Sequence, residues 1–502
     1  MASVGGATII ISLGTFFGIL IHAVKAIVVA NYFGTSPQLD AYVIAMILPL
    51  LLSGILVASM QASVIPVFIE YHATGREKDA YELFHSYFTA SLALFVGISL
   101  FLSLFSTPIV SLLAPGIRDD RLILASRLLK FVAPTILLGG ACDIIGSLYN
   151  AMKKFAVPAF GGGINIAISL IVLVVWKSQG VFALVFGAIL GSLVHFLYLV
   201  LGARFSGLKI ALSRNLYTPG TKRVLLLMIP VLLGSTFSNL NITVDQIMAS
   251  GLSSGSISSL NYANNINSLL AQLFVFSMGA AILPFFSQQI AEGRMEDMKR
   301  TFSAAIKMGL FVLTPITVLV VVLGTPVIKA VFERGAFDSN STAAVSGALK
   351  AFALGLPVMS IGITAVRLFT SLQMTRLIAG IAFANIFINV SMNVVLMRPL
   401  GHVGIALSTS ITYFFSTMLL LYFIGRRVGR IPYGEIAMPV FKVGAISLLT
   451  GILLYAAKRS HFGDSLTDVC VLAFVGVSLY ILLSWLWKVE ELRVLVRQTL
   501  GK

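Results

Sequence analysis

Polar side chains inside long apolar segments are the residues of this sequence that could carry chemistry. The first segment holds Gly18, His22 and Lys25, whose spacing of i, i+4 and i+7 places them on one face of a helix. Because a charge that faces lipid costs about 2.5–3.5 kcal/mol on insertion scales, this face is predicted to look into a polar cavity. The alternative is a lysine that only snorkels toward Phe33, roughly 12 Å further along the helix.

A run of asparagines marks a second polar face. Asn261, Asn264 and Asn265 have the spacing i, i+3 and i+4, so they share one side of the eighth predicted span. Such a face suits a hydrated cavity whose amides hydrogen-bond sugars or phosphates. Hydrogen bonds between helices, worth about 0.6 kcal/mol each in a membrane, explain the pattern about equally well. Asp40, at the mouth of the second span, and Arg367, within the tenth, are the other candidate substrate-binding residues.

Three further side chains could bind a metal ion. Asp245 is a carboxylate in the seventh span, and Asn385 and Asn389 lie one turn apart in the eleventh. One carboxylate and two amide oxygens form a ligand set that a hard cation such as sodium prefers. An Asp245 that pairs with a basic residue or caps a helix end is an equally good interpretation.

The elements that must position these residues are membrane spans. Of the 502 residues, 58% are hydrophobic and only 11% are charged, and continuous apolar runs exclude an alternating β-barrel. About fourteen runs are long enough to cross a bilayer. The net charge of +16 is scattered over short loops, which argues against nucleic-acid binding. The sequence therefore predicts an all-α polytopic membrane protein.

The distribution of Lys and Arg predicts the orientation. With a cytoplasmic N-terminus, the inner loops and the tail hold about 20 basic residues and the outer loops about 8, so both termini are predicted inside. The longest connection, near 204–223, is basic and partly amphipathic. It is predicted to lie on the inner membrane surface.

An internal repeat predicts the domain organisation. The stretch that starts at Ser63 aligns without gaps to the stretch that starts at Ala281, and it matches Pro66 to Pro284 and Gly75 to Gly293 at an offset of 218. Two lobes of equal topology are predicted, related by a pseudo-two-fold axis along the membrane normal, with the substrate site between them. The predicted boundaries are 1–205 for the first six-helix lobe, 206–222 for a linker, 223–427 for the second lobe and 428–502 for two extra helices and a tail.

Further sequence matches extend the repeat and suggest moving parts. Asn165 matches Asn389 and Gly180 matches Gly404, both at an offset of 224. Pro66 and Pro284 lie late in their spans, where a proline kinks a helix, so they are predicted to act as matched hinges. Symmetric bends that serve only packing would give the same pattern.

Two stretches resemble a known family. The sequence ASGLSSGSISSLNYANNINSLLAQLFVFSMGAAILPFFSQQIAEG is similar to the eighth-helix signature of the MurJ/MviN lipid II flippases, which belong to the multidrug/oligosaccharidyl-lipid/polysaccharide exporter superfamily. The sequence VVANYFGTSPQLDAYVIAMILPLLL resembles the first loop and second helix of that family. The resemblance implies two lobes around a cavity that opens alternately to each side. The cavity would bind the diphosphate-sugar head group of an undecaprenyl-linked precursor, and the last two helices would bind its lipid tail.

The resemblance also bears on single residues. It implies a sodium site at positions similar to Asp245, Asn385 and Asn389. The family carries an Arg-Asp pair where this chain has Lys25 and Ala26, basic residues where it has Ser53 and Gly54, and an arginine where it has Asn265. The predicted cationic ring is therefore reduced to Lys25, with Asp40 retained. Fewer arginines weaken bidentate capture of a diphosphate, so a lipid-linked saccharide other than lipid II is an open alternative.

The sequence thus favours a flippase that moves an undecaprenyl-diphosphate-linked saccharide across the bacterial cytoplasmic membrane for cell-wall (peptidoglycan) synthesis. It is expected to act as a monomer without a cofactor, with sodium as the candidate coupling ion. An exopolysaccharide or O-antigen repeat-unit flippase is the first alternative. The second is a cation-coupled multidrug exporter, which the carboxyl group of Asp143 inside a span would suit. A polysaccharide polymerase or ligase is disfavoured because the longest outer loop, near 332–343, has only about a dozen residues. We therefore predict no catalytic residue.

Overall fold

The computed structural model describes residues 4–117, 119–216, 218–429, 433–461 and 465–499. These residues form helices and their connections and contain no β-strand. The predicted all-α fold is thus confirmed. The α-helices, in chain order, are α1 Val4–Phe33, α2 Pro37–Ala73, α3 Glu77–Leu104, α4 Ser106–Leu113, α5 Asp119–Val132, α6 Pro134–Ala151, α7 Ala156–Val175, α8 Phe182–Phe205, α9 Pro219–Ala249, α10 Ser256–Leu270, α11 Ser277–Ala291, α12 Met295–Phe332, α13 Ser339–Ala353, α14 Leu356–Ser371, α15 Thr375–Leu400, α16 His402–Val428, α17 Tyr433–His461, α18 Leu466–Leu486 and α19 Glu490–Thr499.

The predicted spans correspond to single helices or to short runs of them. The third span is α3 with α4, the fourth is α5 with α6, and the tenth is α13 with α14, which meet at a bend of 42°. Within the described residues, 12 helices are long and apolar enough to cross a membrane, or up to 13 when the bent pair counts as one span. The chain is therefore a multi-pass membrane protein, in rough agreement with the predicted count of about 14. Helix α9 matches the seventh predicted span in position.

The helix ends follow from local sequence. Ser36 caps α2, because its hydroxyl accepts the N–H of Leu39 at 3.3 Å, and Pro37 occupies the first helical position, where its missing N–H leaves no bond unmade. The turns after α2 and α11 contain Gly75 and Gly293, whose φ angles are +77° and +71°. This left-handed conformation favours glycine. The matched glycines of the sequence repeat thus terminate equivalent helices.

The order of the elements reproduces the sequence repeat. Helix α2, with 37 residues, corresponds to α10 and α11 together, which extend over the 36 residues Ser256–Ala291. Helix α12 unites the equivalents of α3 and α4, and α5 to α8 correspond in order to α13 to α16. One sequence match is corrected. Gly180 has φ and ψ of 59° and −139°, and its conformational equivalent is Gly401, at 58° and −135°, rather than Gly404. Gly404 instead lets α16 pack closely on the carbonyl of Leu396, where a Cβ atom would clash.

The first compact unit comprises Met1–Gly255. In it α7 packs against α1 and α8, and α2 packs against α5, α6 and α9. Its core contains the fully buried rings of Phe68, Phe84, Phe95 and Tyr149. The sequence repeat placed α9 in the second lobe, whereas in the structure α9 packs with the first unit. The boundary between the compact units, after Gly255, therefore differs from the predicted linker at 206–222.

The second compact unit comprises Ser256–Lys502 and is organised around the long helix α12. Helix α12 packs against α13 and α14 on the repeat side, and against α17 and α18 at the C-terminus. The Tyr480 hydroxyl donates to the carbonyl of Phe311 at 2.8 Å, which joins α18 to α12. The two extra helices are therefore integral to this unit. The outer faces of α17 and α18 expose large apolar side chains, among them Leu448, Ile452, Phe474 and Leu482.

Candidate functional site

Lys25 lies where α1 crosses α7. Gly14 and Gly18 bring the two backbones together, since a Cβ atom on Gly14 would clash with the carbonyl group of Ala159. About two turns beyond Gly18, Lys25 Nζ donates to Ser169 Oγ on α7 at 2.7 Å. The glycine-lined approach of α1 to α7 therefore fixes where the ammonium group sits.

The ammonium group of Lys25 keeps capacity to bind an anion. It carries three N–H donors and Ser169 takes one. None of the ion pairs among the described residues includes Lys25, and the side chain is half-buried. His22, on the same side of α1, is exposed. A half-buried cation without a carboxylate partner inside a span is typical of a substrate or ion pathway.

Asp40 is placed differently from Lys25. Its side chain is only 1% exposed, and Asp40 Oδ2 accepts the backbone N–H of Gly255 at 2.6 Å. Gly255 has a φ of +87°, and a Cβ atom there would lie 2.6 Å from the carbonyl oxygen of Thr35. Asp40 thus ties the start of α2 to the turn before α10. A substrate contact by Asp40 stays a prediction.

We expect Asp40→Ala to lower the melting temperature of the purified protein. The substitution leaves the Gly255 N–H without its acceptor, and a hydrogen bond to a charged group contributes about 1.5–3 kcal/mol. Asp40→Asn is the matched control, because its amide oxygen can still accept. The measurement is thermal unfolding in detergent, followed by intrinsic fluorescence. An unchanged melting temperature in Asp40→Ala with impaired transport would instead make Asp40 a substrate ligand alone.

The predicted polar face of α10 has the expected exposure. Asn261 and Asn264 are half-buried and Asn265 is exposed, whereas Tyr262 and Ala263 on the other side are buried. Asn265 Nδ2 donates to Asn261 Oδ1 at 3.2 Å within the same helix. The amides of this face therefore pair along α10 and retain further donors and acceptors.

An irregular turn follows this face and was missed by the sequence reasoning. Residues Ala271–Phe276 form a π-helical turn, which begins with Ala271 four positions after the buried Asn267. Asn267 Oδ1 has no hydrogen-bond partner among the described residues. π-Helical turns occur frequently at functional sites. Pro284 lies eight residues beyond the turn, and α2 stays α-helical through Pro66, so the hinge roles of both prolines stay predictions.

Arg367 is the cation of the second unit that the sequence singled out. Its stem lies against α11, where a Cβ atom on Gly279 would lie 3.5 Å from Arg367 Nε. That Nε atom is buried and has no hydrogen-bond partner among the described residues. The guanidinium also takes part in none of the ion pairs of the described chain. A buried donor of this kind costs free energy unless a ligand occupies it.

The candidate sodium ligands occupy both compact units. Asp245 belongs to α9 in the first unit, and Asn385 and Asn389 belong to α15 in the second. Asn385 Nδ2 donates to Ser416 Oγ at 3.0 Å, and its Oδ1 atom is buried without a partner. Asn389 is 1% exposed and accepts from Asn393 Nδ2 at 3.1 Å. Asn385 thus keeps an oxygen atom that could bind a cation. Among the described residues, no group of three or more His, Cys, Asp or Glu side chains could hold a metal ion.

Asn393 was overlooked, although its spacing from Asn389 could have found it. It is fully buried, one turn beyond Asn389 on the same face of α15, and its Oδ1 atom accepts the Ser408 hydroxyl of α16. The asparagines of α15 therefore form an amide row that joins α15 to α16. The asparagines of α15 thus serve in hydrogen bonding between helices, the same role that the sequence analysis gave as the alternative for the asparagines of α10.

The repeated order of helices, the multiple spans and the cations inside them that form no ion pair with the described residues are the features of a membrane transporter. The family model described as lipid II flippase MurJ matches residues 29–470. The chain therefore belongs to the MurJ family, which confirms the resemblance read from the sequence.

Individual relatives agree with this assignment. A probable lipid II flippase MurJ of Rickettsia prowazekii is 27% identical over 428 residues, 82% of each chain. A structure of lipid II flippase MurJ in an inward-closed conformation has a TM-score of 0.84 and 25% identity, and covers 97% of this chain and 100% of that one. An inward-facing MATE-family multidrug transporter of the MOP superfamily shares the fold with a TM-score of 0.68 at 13% identity, over 84% of this chain and 98% of that one.

Proposed function

We propose that this protein flips an undecaprenyl-diphosphate-linked saccharide, lipid II or a related cell-envelope precursor, from the inner to the outer leaflet of the cytoplasmic membrane. The observation that carries the proposal is the family match over residues 29–470, which includes parts of both compact units. Lys25 and Arg367 support it, because a diphosphate needs cationic donors and neither side chain forms an ion pair with a carboxylate of the described residues.

The remaining residues have roles that follow from their chemistry. The amides of Asn261, Asn264 and Asn265 hydrogen-bond sugar hydroxyls, and His22 adds a polar group beside Lys25. The exposed apolar faces of α17 and α18 suit the prenyl tail, since each buried CH₂ of a lipid contributes about 0.8 kcal/mol. Alternating access would use Pro66 and Pro284 as hinges, with both termini in the cytoplasm and the protein acting as a monomer.

The test is reconstitution of the purified protein in liposomes. Labelled lipid II and an unrelated lipid-linked oligosaccharide are offered separately, with and without a sodium gradient, and arrival in the opposite leaflet is measured. We expect flipping of at least one lipid-linked saccharide, at least about tenfold above protein-free liposomes, and a preference for lipid II would identify the substrate. Transport of neither lipid would contradict the proposal. Flipping that is independent of sodium would remove the role proposed for Asp245, Asn385 and Asn389.

A cation-coupled exporter is the second candidate function. Asp143 favours it, because this half-buried carboxyl on α6 takes part in none of the ion pairs among the described residues. A carboxylate inside a span suits an organic cation or a proton. Efflux of a cationic dye from the same liposomes, lost in Asp143→Asn, would support this function in place of lipid flipping.

A further inference from the structure

Two lysines lie on helices that both pack against α12, Lys350 on α13 and Lys458 on α17. Lys350 is half-buried on α13, and its Nζ atom donates to Thr325 Oγ1 on α12 at 2.8 Å. The stem of Lys350 lies over Gly324, where a Cβ atom would come within 3.8 Å of Lys350 Cγ and Cε. The neighbouring charge that acts on Lys350 is Lys458 of α17.

The hydroxyls around Lys350 do not neutralise it. The Thr325 hydroxyl accepts from Lys350 and donates its own hydrogen bond to Ser346 Oγ at 3.2 Å, and the Ser346 hydroxyl in turn donates to the carbonyl of Ala343 at 3.2 Å. This chain of hydrogen bonds is directional and ends on a backbone carbonyl. It fixes the position of the ammonium group and leaves two of its N–H donors for another partner.

The nearby acidic side chains are engaged elsewhere. Glu333 accepts the Thr342 hydroxyl at 2.6 Å, and Asp338 accepts the N–H and the hydroxyl of Ser341, each at 2.8 Å. The two bonds from Ser341 hold the pKa of the Asp338 carboxyl below its usual range. In the part of the chain that the structure describes, no ion pair includes Lys350 or Lys458. Neither lysine therefore forms an ion pair with a carboxylate of the described residues.

The depth of the pair indicates what neutralises it. Thr325 lies about 10 Å from the end of α12 at Phe332, and Lys350 about 16 Å from the start of α13, at 1.5 Å per residue. Lys458 lies three residues before the end of α17 at His461. With the orientation predicted from Lys and Arg, these helix ends face outward. Because Lys350 Nζ bonds to Thr325, its ammonium group lies at the level of Thr325, about 10 Å from the outer end of α12. Helix α12 has 38 residues, about 57 Å at 1.5 Å per residue, and so extends well beyond a hydrocarbon core of about 30 Å. This overhang brings the ammonium groups toward the outer head groups, where lipid phosphates are the available anions.

We infer that Lys350 and Lys458, with Thr325 and Ser346 behind them, form a lipid-phosphate site at the outer end of α12, α13 and α17. The inference rests on the proposed function for its biological meaning. Helix α17 is one of the two helices whose apolar face suits the prenyl tail, so the site would hold the diphosphate of the carrier after it reaches the outer leaflet. Bilayer phospholipid is the other source of the same phosphate chemistry, and the test separates the two.

The experiment measures lipid binding to the full-length protein by native mass spectrometry in detergent. The probes are undecaprenyl diphosphate, phosphatidylglycerol and, without phosphate, undecaprenol. Lys350→Met and Lys458→Met are each expected to weaken binding of undecaprenyl diphosphate about tenfold, equivalent to about 1.4 kcal/mol. Lys130→Met is the matched control, because Lys130 is exposed near the end of α5, the helix equivalent to α13 in the repeat. If Lys350→Met does not fold, the result depends on Lys458→Met, which should fold because Lys458 lies near the end of its helix.

The binding affinities of the two variants decide whether the site exists and which lipid it takes. A tenfold loss for undecaprenyl diphosphate alone supports a site for the carrier lipid, and an equal loss for phosphatidylglycerol supports a general lipid-phosphate site. Unchanged binding in both variants, or an equal loss for undecaprenol, overturns the inference. A wild-type protein that flips lipid in liposomes while the variants keep full affinity overturns this inference alone. If the wild-type protein binds lipid phosphate at Lys350 and Lys458 but flips no lipid, the proposed function is overturned and the inferred binding site stands.

Discussion

Lys25→Ala is expected to lower the rate of lipid flipping in proteoliposomes about 100-fold while the protein stays folded. The ammonium group has two N–H donors beyond the one that Ser169 accepts. Hydrogen bonds from a charged donor contribute about 1.5–3 kcal/mol each. A loss of about 3 kcal/mol corresponds to about 100-fold in rate. Folding should survive, because Gly14 and Gly18 make the close contact of α1 with α7, to which the lysine adds one hydrogen bond.

Two further variants separate binding from positioning. Ser169→Ala removes only the hydroxyl that orients Lys25, so its flipping rate should fall less than tenfold. Lys25→Arg keeps the charge and adds a planar fork, so it should retain most of the activity. Flipping rates and melting temperatures are measured on the same preparations. Full activity of Lys25→Ala would make Lys25 a lysine that only snorkels, and the proposal would lose its cation in the first unit.

The sequence predicted the spans well because membrane insertion depends on local composition. Every predicted apolar run coincides with a helix or a broken pair of helices, including α13 and α14, which meet at Gly355. The repeat was also readable, since Gly75 and Gly293 must both adopt a left-handed conformation to end their helices. At Gly180 the sequence match rested on residue identity alone, and the backbone angles show that its equivalent is Gly401 and not Gly404.

Partners distant in the chain could not be predicted. Asp40 accepts from Gly255, 215 positions away, and Lys25 donates to Ser169, 144 positions away. Helical periodicity shows which face a side chain occupies but not which helix packs there. Similarly, nothing in the sequence near Ala271 signals the π-helical turn, whereas the amide row of α15 was partly visible in the spacing of Asn385 and Asn389.

Arg367→Met is expected to lower flipping about tenfold or more without lowering the melting temperature. The guanidinium makes no hydrogen bond among the described residues, and its Nε atom is buried. Arg367 is half-buried and forms no ion pair with the described residues, so an apolar side chain of similar length should leave stability unchanged or raise it. A loss of transport without a loss of stability is therefore the result expected of a residue kept for an anionic substrate.

Arg376→Met tests whether any arginine of the second unit would have the same effect. Arg376 is exposed at the start of α15, and its loss should change the flipping rate less than twofold. Arg367→Lys keeps the charge but loses the fork, so it should rank between wild type and Arg367→Met if a diphosphate is bound bidentately. An Arg367→Met protein that is more stable and flips lipid normally would show that Arg367 contacts no substrate. The diphosphate would then depend on Lys25 and on amides, as the missing arginines of the sequence suggest.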